Sequence, residues 1–522
     1  CVMTHHNLTI KMKIFTAEQL HNIEQQTLDE DKITLLNLIE NSSETIAAEI
    51  TSRWLNSKKI VAFAGWGNNG ADTLATVRQL AMQDYRIDVY HFNIGNQLTP
   101  ECRVCRDELL KVCSDKVRLY EINGKESFSW PEVNSDDLVI DGLFGTGLTD
   151  ALPVPFQLIV RNINYSGATI VSIDLPSGMM PEWNTATSTE QMIHADLTLA
   201  LGTPHLAFMF AESAEAVGEW KVLDTGLSIN AMRKSPYQYF LVEKSSVQPF
   251  LTPRKEFASK ADFGHALLCA GSEGMMGAAV LATKGALRAG AGKVTLHSSR
   301  SGINIAQITV PDAMFDADAN GRCITNIPSS TEKYTALGMG PGIGTSDATV
   351  DALEHMLKAR FALNKPVVLD ADALNCMAKK PALMNYLPVL SVLTPHPGEF
   401  DRMFGEQTST CARLQKAIQV AHFHRVIIVL KGHFTAVVRP DGKVFFNSSG
   451  TPAMATGGSG DVLTGVLTGL MAQGFKPEKA TSIGCYVHGV AGEIAAADHG
   501  DYGTTASDIA ENIGRAIVSI QE

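Results

Sequence analysis

Asn447–Gly465 reads NSSGTPAMATGGSGDVLTG and runs on into an apolar segment, Val462–Leu470, VLTGVLTGL. Gly457, Gly458, Ser459 and Gly460 lead straight into Asp461, and the segment after it has helical spacing. The glycines therefore sit at a helix N-terminus, where backbone N–H groups are unpaired and the helix dipole favours negative charge. A carboxylate at that point can take a proton from a hydroxyl while the N–H groups hold a phosphate. Gly-Gly-Ser-Gly-Asp reads as an anion hole with a general base attached. The plain alternative is a flexible loop capped by an aspartate, so the rest of the chain has to decide.

Upstream of this stretch, buried-strand patterns alternate with helical ones. His265–Ala270 predicts a strand, Gly271–Gly277 a loop, Ala278–Arg288 a helix and Lys293–His297 a strand. Ala336–Met339, Pro366–Asp370, Ser391–Thr394 and Val426–Lys431 follow as further strands. Their polar ends read GMGPGIGT (Gly338–Thr345), LDADALN (Leu369–Asn375), LTPHPGEF (Leu393–Phe400) and LKGHFTAV (Leu430–Val437). Each has a plain reading as well: turn glycines, a rigid bend at His396 between two prolines, a solvated strand end at Lys431.

The N-terminal half repeats the alternation. Thr16–Gln19 reads as a capping box opening helical stretches that reach about Trp54. Lys59–Ala64 is a buried-strand pattern, Gly65–Gly70 is turn-rich and Ala71–Ala81 is helical, which begins a βαβ unit. Ile87–Phe92, Asp137–Asp141, Ala168–Asp174 and Ala195–Leu201 are further strands, predicting a parallel, Rossmann-like α/β/α sandwich. Three strand ends carry NNGAD (Asn68–Asp72), DGLFGTGL (Asp141–Leu148) and IDLPSG (Ile173–Gly178), where open α/β sheets bind ligands. Asn230–Ser246 breaks the periodicity and is expected as a linker, giving domains over 12–229 and 247–522.

With 522 residues, 45% hydrophobic and 19% charged, the chain has globular composition. A net charge of −12 leads away from nucleic-acid and anionic-membrane partners. No apolar run approaches the ~18 residues of a membrane span, and the N-terminus lacks a signal-peptide pattern. The chain begins with Cys, and Met12 reads as a more natural start, so residues 1–11 are left out of the fold expectation. Nine scattered cysteines suggest reduced thiols and a cytoplasmic location. Only Cys102, Cys105 and Cys113 cluster, with no second pair at zinc spacing.

The three N-terminal motifs resemble those of the NAD(P)H-hydrate epimerase domain, over about Phe15–Leu227. The resemblance implies a potassium ion near Asn69, Asp141 and Ser177. It also implies a hydrate contacted by Asn68, Asn69, Gly70, Ala71 and Asp72, by Gly145, Thr146, Gly147, Leu148, Thr149, Asp150 and Ala151, and by Asp174. Asp174 and Asp72 are the candidate acid/base groups, Asp174 first. This chain has Ala71 where the family usually has a second glycine, so a β-carbon would narrow the loop unless the residue is helical. It has His205 where a lysine is common, which weakens any anion contact there.

From about Phe250 to Ile520 the strand-end motifs, the opening stretch, HGVAGEIAA and TASDIAENI resemble the ribokinase-like superfamily in its NAD(P)H-hydrate dehydratase branch. That resemblance implies a ribokinase-like α/β domain and a reaction that consumes ADP. Lys431, Gly432, His433, Phe434 and Thr435, with Gly457–Gly460, would contact ADP. Ala278, Gly344, His396 and Asp461 would contact the hydrate, with Asp461 the base and Mg²⁺ accompanying the phosphates. Together the halves imply a bifunctional repair enzyme acting on NADH and NADPH hydrates, expected as a homo-oligomer. A ribokinase-type small-molecule kinase, or a dehydratase with a non-catalytic N-terminal binding domain, are the alternatives.

Overall fold

The computed structural model describes residues 12–522 except 96, 113–114, 125–127, 185–187 and 329. Residues 1–11 and Cys113 lie outside the described residues. The chain divides into two compact units, Cys1–Tyr237 and Gln238–Glu522.

The first unit opens with α1 (Ala17–Asp31) and α2 (Leu35–Arg53). The expected capping box starts α1: Thr16 Oγ1 accepts from the Gln19 amide, and Gln19 Oε1 accepts from the Thr16 amide. Then come β1 (Lys59–Ala64), α3 (Asn68–Ala81), β2 (Arg86–Phe92), α4 (Pro100–Leu110), β3 (Val117–Ile122), β4 (Leu138–Gly142), α5 (Val154–Asn164), β5 (Thr169–Ile173), β6 (Leu197–Leu201) and β7 (Glu219–Leu223). The sheet runs β3-β2-β1-β4-β5-β6-β7, parallel throughout. Its central strands are apolar on both faces because helices cover both. Strand order reverses between β1 and β4, which opens a crevice beyond their carboxyl ends.

The second unit contains β8 (Tyr239–Val242), β9 (His265–Cys269), α6 (Met276–Arg288), β10 (Lys293–Ser298), β11 (Met314–Ala317), β12 (Ala336–Met339), α7 (Asp347–Ala362), β13 (Val368–Leu369), α8 (Asp372–Lys379), β14 (Val392–Leu393), α9 (Pro397–Phe404), α10 (Thr410–His424), β15 (Ile427–Leu430), β16 (Ala436–Val438), β17 (Val444–Asn447), α11 (Ser459–Ala472), α12 (Pro477–Gly503) and α13 (Ala506–Gln521). Within it the strand order is β8-β17-β16-β15-β14-β13-β12-β9-β10-β11. All neighbours are parallel except β15–β16 and β16–β17. The stretch expected as a linker is structured. It holds a helix at Ile229–Lys234 and all of β8, whose four residues are buried against β17.

The quoted stretch crosses the core as α11, in close contact with α6. A β-carbon on Gly465 would lie 1.9 Å from the Ala282 carbonyl oxygen, and one on Gly285 2.4 Å from that of Val462. The glycines let two helix backbones touch, which sets how far the N-terminus of α11 reaches toward the strand ends. No helix among the described residues is long and apolar enough to cross a membrane.

This contact predicts that Gly465→Ala costs ~2–3 kcal/mol by overpacking, roughly 5–10 °C in the unfolding midpoint. Gly457→Ala, where a β-carbon meets nothing within 4 Å, is expected to leave the midpoint unchanged; calorimetry of the two full-length variants checks both.

Candidate active sites

In the first unit a cavity of about 740 Å³ opens at the switch between β1 and β4. Trp66–Asn69 follow β1 into it, Leu143–Ala151 follow β4, Asp174 follows β5, and α1 and α2 close the far wall. Asn68, Asn69, Asp72, Asp174 and every expected residue from Gly145 to Ala151 line it. Gly70 and Ala71 do not. Both belong to the first turn of α3, and a β-carbon on Gly70 would lie 1.9 Å from the Gly65 carbonyl oxygen. Ala71 is fully buried in the core, so its methyl group does not narrow the loop.

Asp174 is a non-glycine residue at φ 66°. The Leu175 amide donates to the Ile173 carbonyl at 2.8 Å, a γ-turn that aims the Asp174 side chain at the cavity. His205 Nε2 lies 2.8 Å from Asp174 Oδ1, and the Leu201 amide donates to the same oxygen at 3.2 Å. His205 is fully buried, so it supports Asp174 from behind and does not itself face a ligand. Burial, then the Asp174 and Glu24 charges, push the Asp72 carboxyl well above its usual range. Burial and then Asp174 raise Glu24 to about 7.

Asp141 is buried beneath the same loops. Its carboxylate accepts from Ser172 Oγ at 2.8 Å, from the Ser177 amide at 2.8 Å and from Ser177 Oγ at 2.5 Å. Asn69 Nδ2 donates to the Phe144 carbonyl, while Asn69 Oδ1 is buried without a partner. An orphaned amide oxygen beside a hydroxyl, a carbonyl and a carboxylate is a hard-oxygen set that fits an alkali cation. Cys102 and Cys105 are buried free thiols, each pushed up to about 12 mainly by burial, which makes them unreactive.

In the second unit a cavity of about 770 Å³ opens over the carboxyl ends of β13, β14 and β15. Lys431, Gly432, His433, Thr435, Gly458, Ser459, Gly460, Asp461 and His396 line it. Phe434 and Gly457 are not on its wall; Gly457 is exposed, and the Phe434 ring packs on His433. Ala278 and Gly344 are also outside it. A β-carbon on Gly342 would lie 3.1 Å from the Ala278 methyl group, and the Gly344 amide donates to Asp372 at 2.9 Å. They occupy the adjoining loops rather than this wall. His396 combines the two expected readings: its Nδ1 accepts from the Gly398 amide and caps α9, while its ring faces the cavity.

Lys431 Nζ donates to Asp370 Oδ1 at 2.7 Å, and Thr464 Oγ1 donates to Asp370 Oδ2 at 2.7 Å. Burial works against the Lys431 charge, but Asp370, Glu399 and Asp461 together raise its pKa. Burial, then Asp370, push the Asp461 carboxyl up to about 7, against the pull of Lys431. Asp461 lies in the first turn of α11, whose N-cap Gly458 is left-handed at φ 95°. Among the described residues no cluster of three His, Cys, Asp or Glu side chains is placed to hold a metal. Asp370 and Glu399 do face the cavity, which suits a magnesium ion carried in on phosphates and held by one or two carboxylates.

Glu24 carried no signal of its own; Asp370, Glu399 and His488 fall within the quoted motifs LDADALN, LTPHPGEF and HGVAGEIAA without anything local marking them out, and His205 partners Asp174 from a segment remote in sequence. His488 Nε2 lies 3.0 Å from the Ser459 carbonyl oxygen, and burial lowers the His488 pKa to about 4. Because Asp461 binds its proton more tightly folded than unfolded, its contribution to stability is full below about pH 4. That contribution is lost as pH rises through about 7. Asp461→Asn removes the dependence, so the variant is expected to gain a few degrees on wild type between pH 5 and pH 8 in thermal unfolding.

Residues 266–515 match the family model described as NAD(P)H-hydrate dehydratase. Residues 35–207 match the model described as YjeF-related protein N-terminus. A bifunctional NAD(P)H-hydrate repair enzyme from Moorella thermoacetica is 30% identical, covering 98% of this chain and 98% of its own. Relatives of the same description are 29% identical in Thermofilum pendens, over 98% of this chain and 97% of that one, and 28% in Escherichia coli, over 99% and 97%. A solved ADP/ATP-dependent NAD(P)H-hydrate dehydratase from Bacillus subtilis, co-crystallized with ATP/Mg²⁺, is 31% identical. It covers 53% of this chain and 97% of its own, with a TM-score of 0.46. With a whole-length relative at this identity and a domain model matched in each unit, the chain belongs to the family of bifunctional NAD(P)H-hydrate repair enzymes.

Proposed function

We propose that this chain restores hydrated NADH and NADPH. Its first unit interconverts the R and S hydrates, and its second dehydrates the S form at the expense of ADP, releasing AMP and phosphate. The observation that carries the reading is Asp461. It sits at a helix N-terminus and faces the same cavity as Lys431.

A carboxyl near pH 7 is matched to general-base work at neutral pH. Asp461 takes the C6 hydroxyl proton of the hydrate as that oxygen accepts the terminal phosphoryl group of ADP. The amides of Gly458–Gly460 and the Lys431 ammonium stabilise the charge on the transferring group. The C6–O bond then breaks as phosphate leaves, the nitrogen lone pair and loss of a C5 proton restoring the dihydropyridine. A β-carbon on Gly460 would lie 3.1 Å from Lys431 Nζ and crowd the ammonium. A bound Mg²⁺ would neutralise phosphate charge, with Asp370 and Glu399 as its protein ligands.

In the first unit the loop after β4 and the N-terminus of α3 receive the dinucleotide, and Asp174 handles protons at C6. Asn69, Asp141 and Ser177, with the Phe144 carbonyl, would hold a potassium ion that supplies fixed positive charge beneath the substrate.

Recovery of 340 nm absorbance from S-hydrate with ADP, with stoichiometric phosphate release, is the expected activity. A stable phosphorylated product would identify a kinase instead. Asp461→Asn is expected to slow recovery at least about a hundredfold while keeping nucleotide binding, and near-wild-type turnover would remove Asp461 as the base. Asp174→Ala is expected to abolish enzymatic R/S interconversion, followed by separating the two hydrates chromatographically, and to spare dehydration of the S form.

A further inference from the structure

The first cavity holds an acidic group outside every strand-end motif. Glu24 lies on α1 and faces the cavity with Asp72 of α3 and Asp174 after β5. Its own helix contributes His21, whose Nδ1 is 4.0 Å from Glu24 Oε2. Asp150 lies on the same cavity wall, and His205 is taken up by Asp174. No lysine or arginine lines this cavity among the described residues.

Of the carboxyls on this wall, Glu24, Asp72 and Asp174 act on one another through their charges, and with no lysine or arginine beside them they cannot all stay ionised near pH 7. The environments differ enough to assign the protons. Asp174 Oδ1 accepts from the Leu201 amide and lies 2.8 Å from His205 Nε2. Asp72 is 8% exposed, and no hydrogen bond reaches its carboxyl among the described residues. Such a group keeps its proton. Glu24 also lacks a hydrogen-bond donor, but its side chain is 39% exposed and so can exchange a proton with the cavity.

Resting on the epimerase reading of this cavity, we propose that Glu24 is its general acid, protonating the departing C6 hydroxyl, and that Asp174 is the base opposite. The Glu24 O–H bond breaks and the proton joins the C6 oxygen. The C6–O bond breaks with its electron pair, and water leaves. The ring nitrogen lone pair forms the N1=C6 bond of an iminium. Water then adds to the other face of C6, the N1=C6 pair returns to nitrogen, and the surplus proton passes to Asp174. One proton moves from Glu24 to Asp174 in each turnover and returns through solvent, with no oxidant or reductant. Burial and the Asp174 charge place Glu24 at about 7, where an acid can both hold and give its proton at neutral pH.

The test follows R-hydrate of NADH alone with the full-length protein, measuring appearance of the S form above the uncatalysed background between pH 5.5 and 9. ADP-dependent recovery of S-hydrate is measured on the same samples. Wild type is expected to lose rate as pH rises through about 7. Glu24→Gln should slow interconversion by about 10²–10⁴-fold and lose that limb, with dehydration of the S form unchanged. Glu24→Asp should recover part of the rate together with the limb. Interconversion by Glu24→Gln at the wild-type rate, or by Glu24→Ala at the wild-type rate if the amide variant does not fold, overturns the assignment. A wild-type protein that leaves R-hydrate at background would instead overturn the epimerase reading beneath it.

Discussion

One buried carboxylate ties the second site together. Asp370, 1% exposed at the end of β13, accepts one hydrogen bond from Lys431 at the end of β15 and one from Thr464 in α11. Three elements that approach from different directions are thereby held at one point. Removing either charged partner would leave the other buried and uncompensated, which costs more than the pair itself contributes. Asp370 is also the second cause, after burial, of the raised Asp461 pKa. The contact that positions the lysine therefore also raises the Asp461 carboxyl. It works only because α11 comes close: a β-carbon on Gly460 would lie 3.6 Å from Asp370 Oδ2 and closer still to the lysine.

Both sites carry backbone strain at the end of a central parallel strand. Asp174 has φ 66°, and Ala371 has φ 47° and ψ −119°, a region that side chains rarely adopt. Each such residue costs about 1–3 kcal/mol, offset by the packed sheet around it. The strain turns the chain abruptly where it leaves the sheet. In the first unit that turn delivers the Asp174 carboxyl to the cavity; in the second, Ala371 lies on the wall between Asp370 and Asp372, so the two carboxylates diverge. Asp370 goes to Lys431, while Asp372 accepts from the Gly344 amide.

What was legible in the sequence follows from where the physics is local. Lys59–Ala64 and Ala336–Met339 are buried on both faces, so they read as apolar runs and fold as strands with the expected bounds. Edge strands β3 and β7 are half exposed, with charged residues between apolar ones, and give no such run. The β16–β17 hairpin is short and was likewise silent. Strand-end loops were legible because a cavity-lining loop is contiguous. Glu24 was not, because a glutamate on an amphipathic helix looks like any solvated one until α1 forms a wall of the cavity. Nor does LDADALN say which of its aspartates is buried. The Ala71 methyl group points into the core because Asn68–Gly70 are already helical, and the turn-rich composition of that stretch hid it.

The two cavities use the same kind of group in opposite electrostatic settings. Around the first, carboxyls share a wall that carries no lysine or arginine among the described residues, so the site stores protons. Around the second, Asp461 shares its cavity with Lys431 and a helix N-terminus, so the site stores negative charge brought by phosphate. Both are asked to break the same bond, between C6 of the hydrated ring and its hydroxyl oxygen. A proton makes that oxygen leave as water, which stays at hand and adds back to either face; the outcome is epimerisation. A phosphoryl group makes it leave as phosphate, a species that does not re-add, and the ring is free to lose its C5 proton. On the proposed mechanism, the difference between isomerase and lyase lies in whether a lysine joins the carboxyls around the site.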